Sequence, residues 1–323
     1  MGKLIVEKDR HLKNDSPFLD AHKAYTDWFH AQAWNSQENI YFSLGDFFHK
    51  PYPEPAVYDE AMRWLAGCKF HKMYFLVGNH DFKRSLNAYS VDPFQNDPRV
   101  EIIYEPKLLT FGNVSALCMP HIFRTKENQI TMDAYYKDFI ESYTGTQDYL
   151  FYHFEDETAS FSGKGIDLTS LSGKRCGGHI HTVNNKNYFL GMPVNSRFDE
   201  RGQENQLLMV DTESKQEQIV SVPKMLDYYV VQYPDSLPEV DAQFPIWDFE
   251  NCNLKKKELY EMYGRIPIRK VKGTLEKTNA EKYENKMEEK KSWPELLDEF
   301  GKEKKLSDFL LSHLKQVFTH RAS

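Results

Sequence analysis

The chain has 323 residues, 40% of them apolar and 14% aromatic, enough for one large packed domain and a smaller one, since single cores seldom grow past about 250 to 300 residues. A formal net charge of −7 argues against an autonomous nucleic-acid binder, whose affinity rests on a basic face that neutralises phosphates. No stretch reaches the roughly 18 apolar residues of a membrane helix, and Cys68, Cys118, Cys176 and Cys252 are scattered without a CxxC spacing, as expected of reduced thiols in a cytoplasm.

Lys3 to Val6 reads as a short buried strand. Its apolar run is too short for a signal peptide, and Val6 stands where a myristoylation signal needs Ser or Thr. Asp9-Arg10-His11 follows. Pro17 to Trp34 reads as a helix and Ile40 to Leu44 as a second strand, which ends in Gly45-Asp46. Val57 to Leu65 is the next helical stretch, and the strand Met73 to Val77 leads into Gly78-Asn79-His80-Asp81. Two more buried strands are expected: Val114 to Met119 before Pro120-His121, and Tyr149 to Tyr152 before a lone His153. For His121, just after Val114 to Met119, a surface or packing role is the first reading and the rim of a strand-end site the second.

From Arg175 to Val222 the sequence is strand-rich. It carries Gly178-His179-Ile180-His181, late strands at Tyr188 to Asn195 and Gln206 to Asp211, and a substrate-side loop at Asn195-Ser196-Arg197-Phe198. Strands alternating with helices and then giving way to strands predict an α/β fold of two packed sheets flanked by helices. The active site belongs where the strand-end loops converge.

Each motif alone has an ordinary reading. Gly-Asp and Gly-Asn-His-Asp make turns, His179 and His181 share one face of a strand, and a single His is usually a satisfied core residue. Together and in order they assemble Asp9, His11, Asp46, Asn79, His153, His179 and His181. Carboxylate, amide oxygen and imidazole without thiolate suit manganese, iron, zinc or magnesium. Seven ligands are too many for one catalytic ion, which keeps an open position. Two ions sharing a carboxylate use them all, and such pairs serve phosphate ester hydrolysis.

Asp-x-His, Gly-Asp, Gly-Asn-His-Asp, a lone His and Gly-His-x-His, in that order, resemble the calcineurin-like metallophosphoesterases. Gly45-Asp46-Phe47-Phe48-His49, with Pro51-Tyr52-Pro53-Glu54 and the helix after it, is similar to the SbcD-type DNA repair exonucleases and their phage relatives. The motifs span residues 9 to 181. The resemblance implies a four-layer α-β-β-α sandwich and two divalent ions, manganese foremost, with magnesium, iron and zinc as alternatives. It puts Asp9, His11, Asp46 and His181 on one metal, and Asp46, Asn79, His153 and His179 on the other. His80 would assist departure of the leaving oxygen, His49 would contact His80 and share its proton, and Asp81 would orient the loop. One departure is Lys8, where the family usually has a small residue; a cation there would lower the Asp9 pKa or repel the metal.

Beyond the motifs, the resemblance divides the chain into a nuclease domain at 1–223, a small α+β capping domain at 224–277 and a linker with partner-binding helices at 278–323. In the capping segment Tyr228 to Tyr233 and Ile266 to Thr274 read as strands around the helical Asn253 to Tyr263. Lys255, Lys256 and Lys257, then Arg265, Arg269, Lys270 and Lys272, concentrate positive charge where a duplex backbone would lie. In the tail, Ser292-Trp293-Pro294-Glu295 has the form of a capping box. Trp293, Leu297 and Phe300, then Phe309, Leu310 and Leu314, make apolar stripes at helical spacing. By resemblance these helices dock on an SbcC-type coiled-coil ATPase, giving a homodimer within a heterotetramer that acts on double-stranded DNA in a bacterial cytoplasm. The alternatives are a phosphatase or nucleotide phosphodiesterase built on the same site, and a scaffold without activity.

Overall fold

The structure is a computed structural model and describes residues 2–124, 129–158, 165–181 and 190–272. In chain order the first elements are β1 (Lys3–Glu7), α1 (Phe18–His30), β2 (Ile40–Ser43), α2 (Pro55–Gly67) and β3 (Lys72–Leu76). A two-stranded hairpin, β4 (Phe82–Lys83) and β5 (Ala88–Tyr89), precedes β6 (Val100–Ile103), β7 (Lys107–Phe111) and β8 (Val114–Met119). Then come α3 (Met132–Ser142), β9 (Tyr149–Tyr152), β10 (Lys174–Gly177), β11 (Asn205–Asp211) and β12 (Glu217–Val222). The chain continues through β13 (Leu226–Gln232), β14 (Phe244–Glu250), α4 (Lys256–Tyr263) and β15 (Ile268–Val271).

Six strands form one sheet in the order β12-β11-β1-β2-β3-β6, and four form another in the order β10-β9-β8-β7. β1, β2, β3 and β6 run parallel, while β11 joins β1 antiparallel. Burial explains the short apolar runs: these strands are covered on both faces, so alternation is lost. Leu4, Val6, Phe42 and Leu44 of the first sheet share one core with Val114, Ala116, Tyr149 and Phe151 of the second. On the far side of the first sheet, Ala21, Tyr25 and Phe29 of α1 and Val57, Ala61 and Trp64 of α2 pack with Ile5, Tyr41 and Phe75. On the far side of the second, Tyr136 of α3 packs with Leu117, Leu150 and Tyr152. The chain is therefore mixed α/β, with α1 and α2 packed on the six-stranded sheet and α3 on the four-stranded one.

The apolar pattern works locally as expected. In α1 the buried Ala21, His22, Tyr25, Thr26 and Phe29 fall on one helical face, and α2 begins with Pro55 at a position where its missing N–H costs nothing. Leu190 to Asn195 departs from expectation. These residues are buried but form no strand. Pro193 has no N–H for a ladder, and the Asn205 side chain, not a neighbouring strand, donates to the Met192 carbonyl.

The chain divides into two compact units, one of Met1–Tyr229 with Leu237–Trp247, the other of Val230–Ser236 with residues from 248 onward. In the second unit α4 and β15 follow one another, and Phe249 packs on Tyr263. Residues 278–323, with Trp293, Leu297, Phe300, Phe309, Leu310 and Leu314, lie outside the described residues. Among the described residues no helix is long and apolar enough to cross a membrane.

Candidate metal centre

The loops that leave β1, β2, β3, β9 and β10 carry Asp9 and His11, Asp46, Asn79 and His80, His153, and His179 with His181, respectively. β1, β2 and β3 run parallel in the first sheet and β9 and β10 in the second, so each set of loops leaves one edge of its own sheet, and the two sheets pack on one core. Of the seven non-glycine residues with positive φ among those described, four are Asp9, His11, Asp46 and His179, at 41°, 47°, 47° and 70°. Such backbone is uncommon outside glycine and gathers at functional sites. Two glycines let the loops close. A Cβ on Gly45, itself at φ 104°, would stand 2.3 Å from His153 Nδ1, and one on Gly78 would stand 2.2 Å from Asp46 Oδ1.

Asp46 lies in the middle. Its Oδ2 is 3.6 Å from His11 Nε2 and 3.1 Å from His153 Nε2. On the first side, His11 Nε2 faces His181 Nε2 at 3.1 Å, and His181 Nε2 is 3.8 Å from Asp9 Oδ2. On the second, Asn79 Oδ1 is 3.1 Å from His153 Nε2 and 2.7 Å from His179 Nδ1. Asp46, His153 and His179 offer ligand atoms within 4.8 Å of one another, as do His11, His49 and His80. All seven residues expected as ligands thus come together, with Asp46 between two groups.

The donor set fits divalent cations on an independent ground. Both Asp9 carboxylate oxygens are buried and meet no hydrogen-bond donor among the described residues, a costly state for a charge unless a cation balances it. Burial accordingly pushes the Asp9 carboxyl up, against the pull of His153, His181 and Lys8. Asp46 behaves oppositely. Burial would raise it, but His153, His11 and His80 outweigh that effect and hold it well below the usual carboxylate range. Burial alone would depress His153, yet Asp46 and Asp9 raise it to about 9.

Hydrogen bonds fix which nitrogen each ring presents. His153 Nδ1 donates to the Leu44 carbonyl at 2.6 Å, which leaves Nε2 directed at Asp46 and Asn79. His181 Nδ1 donates to Glu200 Oε1 at 2.5 Å, which leaves Nε2 toward Asp9 and His11. Imidazole ligands are commonly oriented by such a carbonyl or carboxylate. Burial holds His11 well below its ordinary pKa and His179 at about 4, so both offer lone pairs at neutral pH.

His80 donates from its backbone N–H to Asp46 Oδ1 at 2.7 Å, and from Nδ1 to the backbone carbonyl of His49, also at 2.7 Å. The contact between these histidines therefore runs through the main chain. Their rings stack 5.4 Å apart at 21°, and the hydrogen bond between them joins the His80 ring to the His49 carbonyl. Asp81 is buried and accepts from the backbone N–H of Gly78 at 2.8 Å and of Asp46 at 3.1 Å, and from Ser90 Oγ at 3.1 Å. It ties the second and third ligand loops together.

Three residues near the centre escaped sequence reasoning or behave differently from it. Glu200 has no motif around it; besides His181 it accepts from the backbone N–H groups of Ser196 and Arg197 at 2.5 and 2.9 Å. Arg10 sits inside a motif but is buried and turned away from the metal donors. It pairs with Glu7 at 2.8 Å and lies over the Trp64 ring at 4.2 Å. Lys8 is buried with Nζ donating to the Ile180 carbonyl at 2.5 Å, and burial lowers it to about 8. It links β1 to the Gly-His-Ile-His loop. His121 is half-buried next to Phe123 at 4.6 Å, and its backbone N–H donates to Val77.

The basic residues of the second unit are less available than their sequence suggests. Arg269 pairs with Asp248, and Lys272 with Glu250 at 2.8 Å; Arg265 and Lys270 are exposed.

A layered α/β fold with Asp, Asn and His donors gathered at the strand ends defines a metal-dependent hydrolase of phosphoesters. Comparison with known families matches residues 19–183, more than half of the chain, to the calcineurin-like phosphoesterases, and the chain belongs to that family. Asp9 and His11 precede the matched residues, and the remaining five donors fall within them. Among curated proteins, none matches the chain.

Proposed function

We propose that the chain is the nuclease subunit of an SbcD-type system, hydrolysing DNA phosphodiesters as an exonuclease on duplex ends, with endonuclease activity as well, beside an SbcC-type ATPase. The observation that carries this reading is the placement of the Gly-Asp-Phe-Phe-His block against the Gly-Asn-His-Asp loop, where His80 Nδ1 meets the His49 carbonyl at 2.7 Å. A phosphatase or cyclic nucleotide phosphodiesterase has no need of that block.

Asp9, His11, Asp46 and His181 would hold one divalent ion and Asp46, Asn79, His153 and His179 the other, with manganese the working metal by resemblance. When bound, such a pair clamps the phosphoryl oxygens and makes water acidic enough to attack at neutral pH. The protein's own part is positional. Because a carbonyl can only accept, His80 keeps its proton on Nδ1 and turns Nε2 toward the substrate. In its protonated form Nε2 delivers a proton to the sugar oxygen as the P–O bond breaks, a service that contributes about 10²- to 10⁴-fold. Asp81 holds the loop from below.

Turnover with manganese on duplex DNA, a phosphoserine peptide and a cyclic nucleotide tests the substrate. DNA is expected to be preferred; a hundredfold preference for either small substrate overturns the reading. Co-purification of the full chain with a large ATP-hydrolysing coiled-coil protein tests the partner, and deletion of 292–323 is expected to abolish it.

A further inference from the structure

A pocket of about 520 Å³ has a lining that includes Tyr52, Tyr58, Lys83, Leu86, Tyr89 and Pro93. Its two walls are the segments that leave the catalytic loops. Pro51 to Pro55 follows His49, and the β4–β5 hairpin follows His80 and Asp81 and is pinned back by the Ser90–Asp81 bond at 3.1 Å. The volume suits a small organic group.

The lining is largely apolar. Four prolines, Pro51, Pro53, Pro55 and Pro93, and three tyrosines build it, with Asp59 as the acid in the lining. Two tyrosines are locked from behind: Tyr58 stacks on Phe48 with ring centroids 6.3 Å apart, and Tyr89 packs on Tyr104 at 4.8 Å. Tyr52 differs. It is 66% exposed, and its ring meets no other aromatic ring among the described residues. Leu86, which also lines the pocket, is 58% exposed. Lys83 makes no ion pair among the described residues.

We propose that this pocket receives a nucleobase of the strand being cut, the one next to the scissile phosphate, stacked on Tyr52 while Lys83 meets a neighbouring phosphate. The inference rests on the nuclease reading. The lining starts at Pro51, two residues after His49, and at Lys83, three after His80, and Ser90 of the lining is bonded to Asp81; every base has a face that stacks on an aromatic ring. A cation in a largely apolar lining suits a ligand with an aromatic face and an anionic backbone. A peptide ligand would use the slot without any dependence on bases.

Manganese-supported cleavage of a single-stranded oligonucleotide and of its abasic counterpart, by wild type, Tyr52→Ala and Tyr52→Trp, decides the matter. Wild type is expected to show a KM roughly tenfold lower for the strand with bases, in line with alanine-scan values for base stacking. Tyr52→Ala should erase that difference while leaving kcat and the abasic KM unchanged, and Tyr52→Trp should retain it. In calcium, a 2-aminopurine strand should lose fluorescence on binding wild type but not Tyr52→Ala. Equal KM for both strands in wild type, or an equal effect of Tyr52→Ala on both, overturns the proposal. Failure of the nuclease reading looks different: neither strand is cut while bis(p-nitrophenyl) phosphate is still hydrolysed, and the pocket assignment then falls with it.

Discussion

The His181 ring donates its Nδ1 proton to the Glu200 carboxylate across 2.5 Å, and Glu200 in turn is anchored by two backbone N–H groups. This contact sets the tautomer and the aim of His181, so Glu200 acts on the centre without touching a metal. Glu200→Ala is expected to weaken metal binding by about 10- to 100-fold, as loss of such an orienting partner commonly does. Glu200→Gln, whose amide oxygen can still accept, should lose less. Manganese titration by calorimetry reads both, and unchanged affinity in Glu200→Ala would remove the residue from this role.

Asp46 and His80 should separate metal binding from turnover. Asp46 Oδ2 stands within 3.6 Å of nitrogens on both sides of the centre, so Asp46→Ala is expected to empty both positions and abolish hydrolysis. His80→Ala should keep its metal, measured by elemental analysis after dialysis, and lose about 10²- to 10⁴-fold in kcat. Equal metal loss in the two variants would refute the assigned roles.

Glu7 and Arg10 form a buried ion pair, and Tyr25 Oη donates to the same carboxylate at 2.9 Å. Removing one partner strands the other, which costs about 3 to 5 kcal/mol. Arg10→Met should therefore lower the denaturation midpoint sharply. Glu7→Gln combined with Arg10→Met should recover part of that loss, because no charge is left buried and Tyr25 keeps an acceptor. A double variant less stable than Arg10→Met alone would contradict this account.

The cysteines should be inert in the folded protein. All four are buried. Burial pushes the Cys176 thiol up to about 12 and the Cys68 and Cys118 thiols above the ordinary range. Since only the thiolate reacts, raising the pH from 7 to 9 populates almost none of it in these three. Titration with a chromogenic disulfide at pH 8 is expected to find no fast-reacting thiol until denaturant is added; a rapid stoichiometric reaction in buffer would show that one of them is accessible.

Much of the fold is local enough to read from the chain. β8 and β9 fall at Val114–Met119 and Tyr149–Tyr152 as expected, and β1, β2 and β3 differ by one residue at their ends, because short apolar runs bounded by turn residues carry their own signal. α3 and β14 were not anticipated. Only Tyr136 of α3 is buried, so its apolar stripe is too thin to read, and Pro245 within β14 argues against a strand.

The chain by itself determined the chemistry of the donors. Asp, Asn and His recur just after strand-like runs, and parallel strands deliver their ends to one edge of their own sheet, so the donors fall into two sets, one after β1, β2 and β3 and one after β9 and β10. Tertiary structure alone decided the orientation of each side chain. Lys8 beside Asp9 looked like a competing cation, but a strand residue points where its neighbours leave room, and here that is the Ile180 carbonyl. His49 reaches His80 through its carbonyl, and Glu200 reaches His181 from 19 residues away. Such contacts depend on the distances between packed loops, which no local pattern of residues encodes.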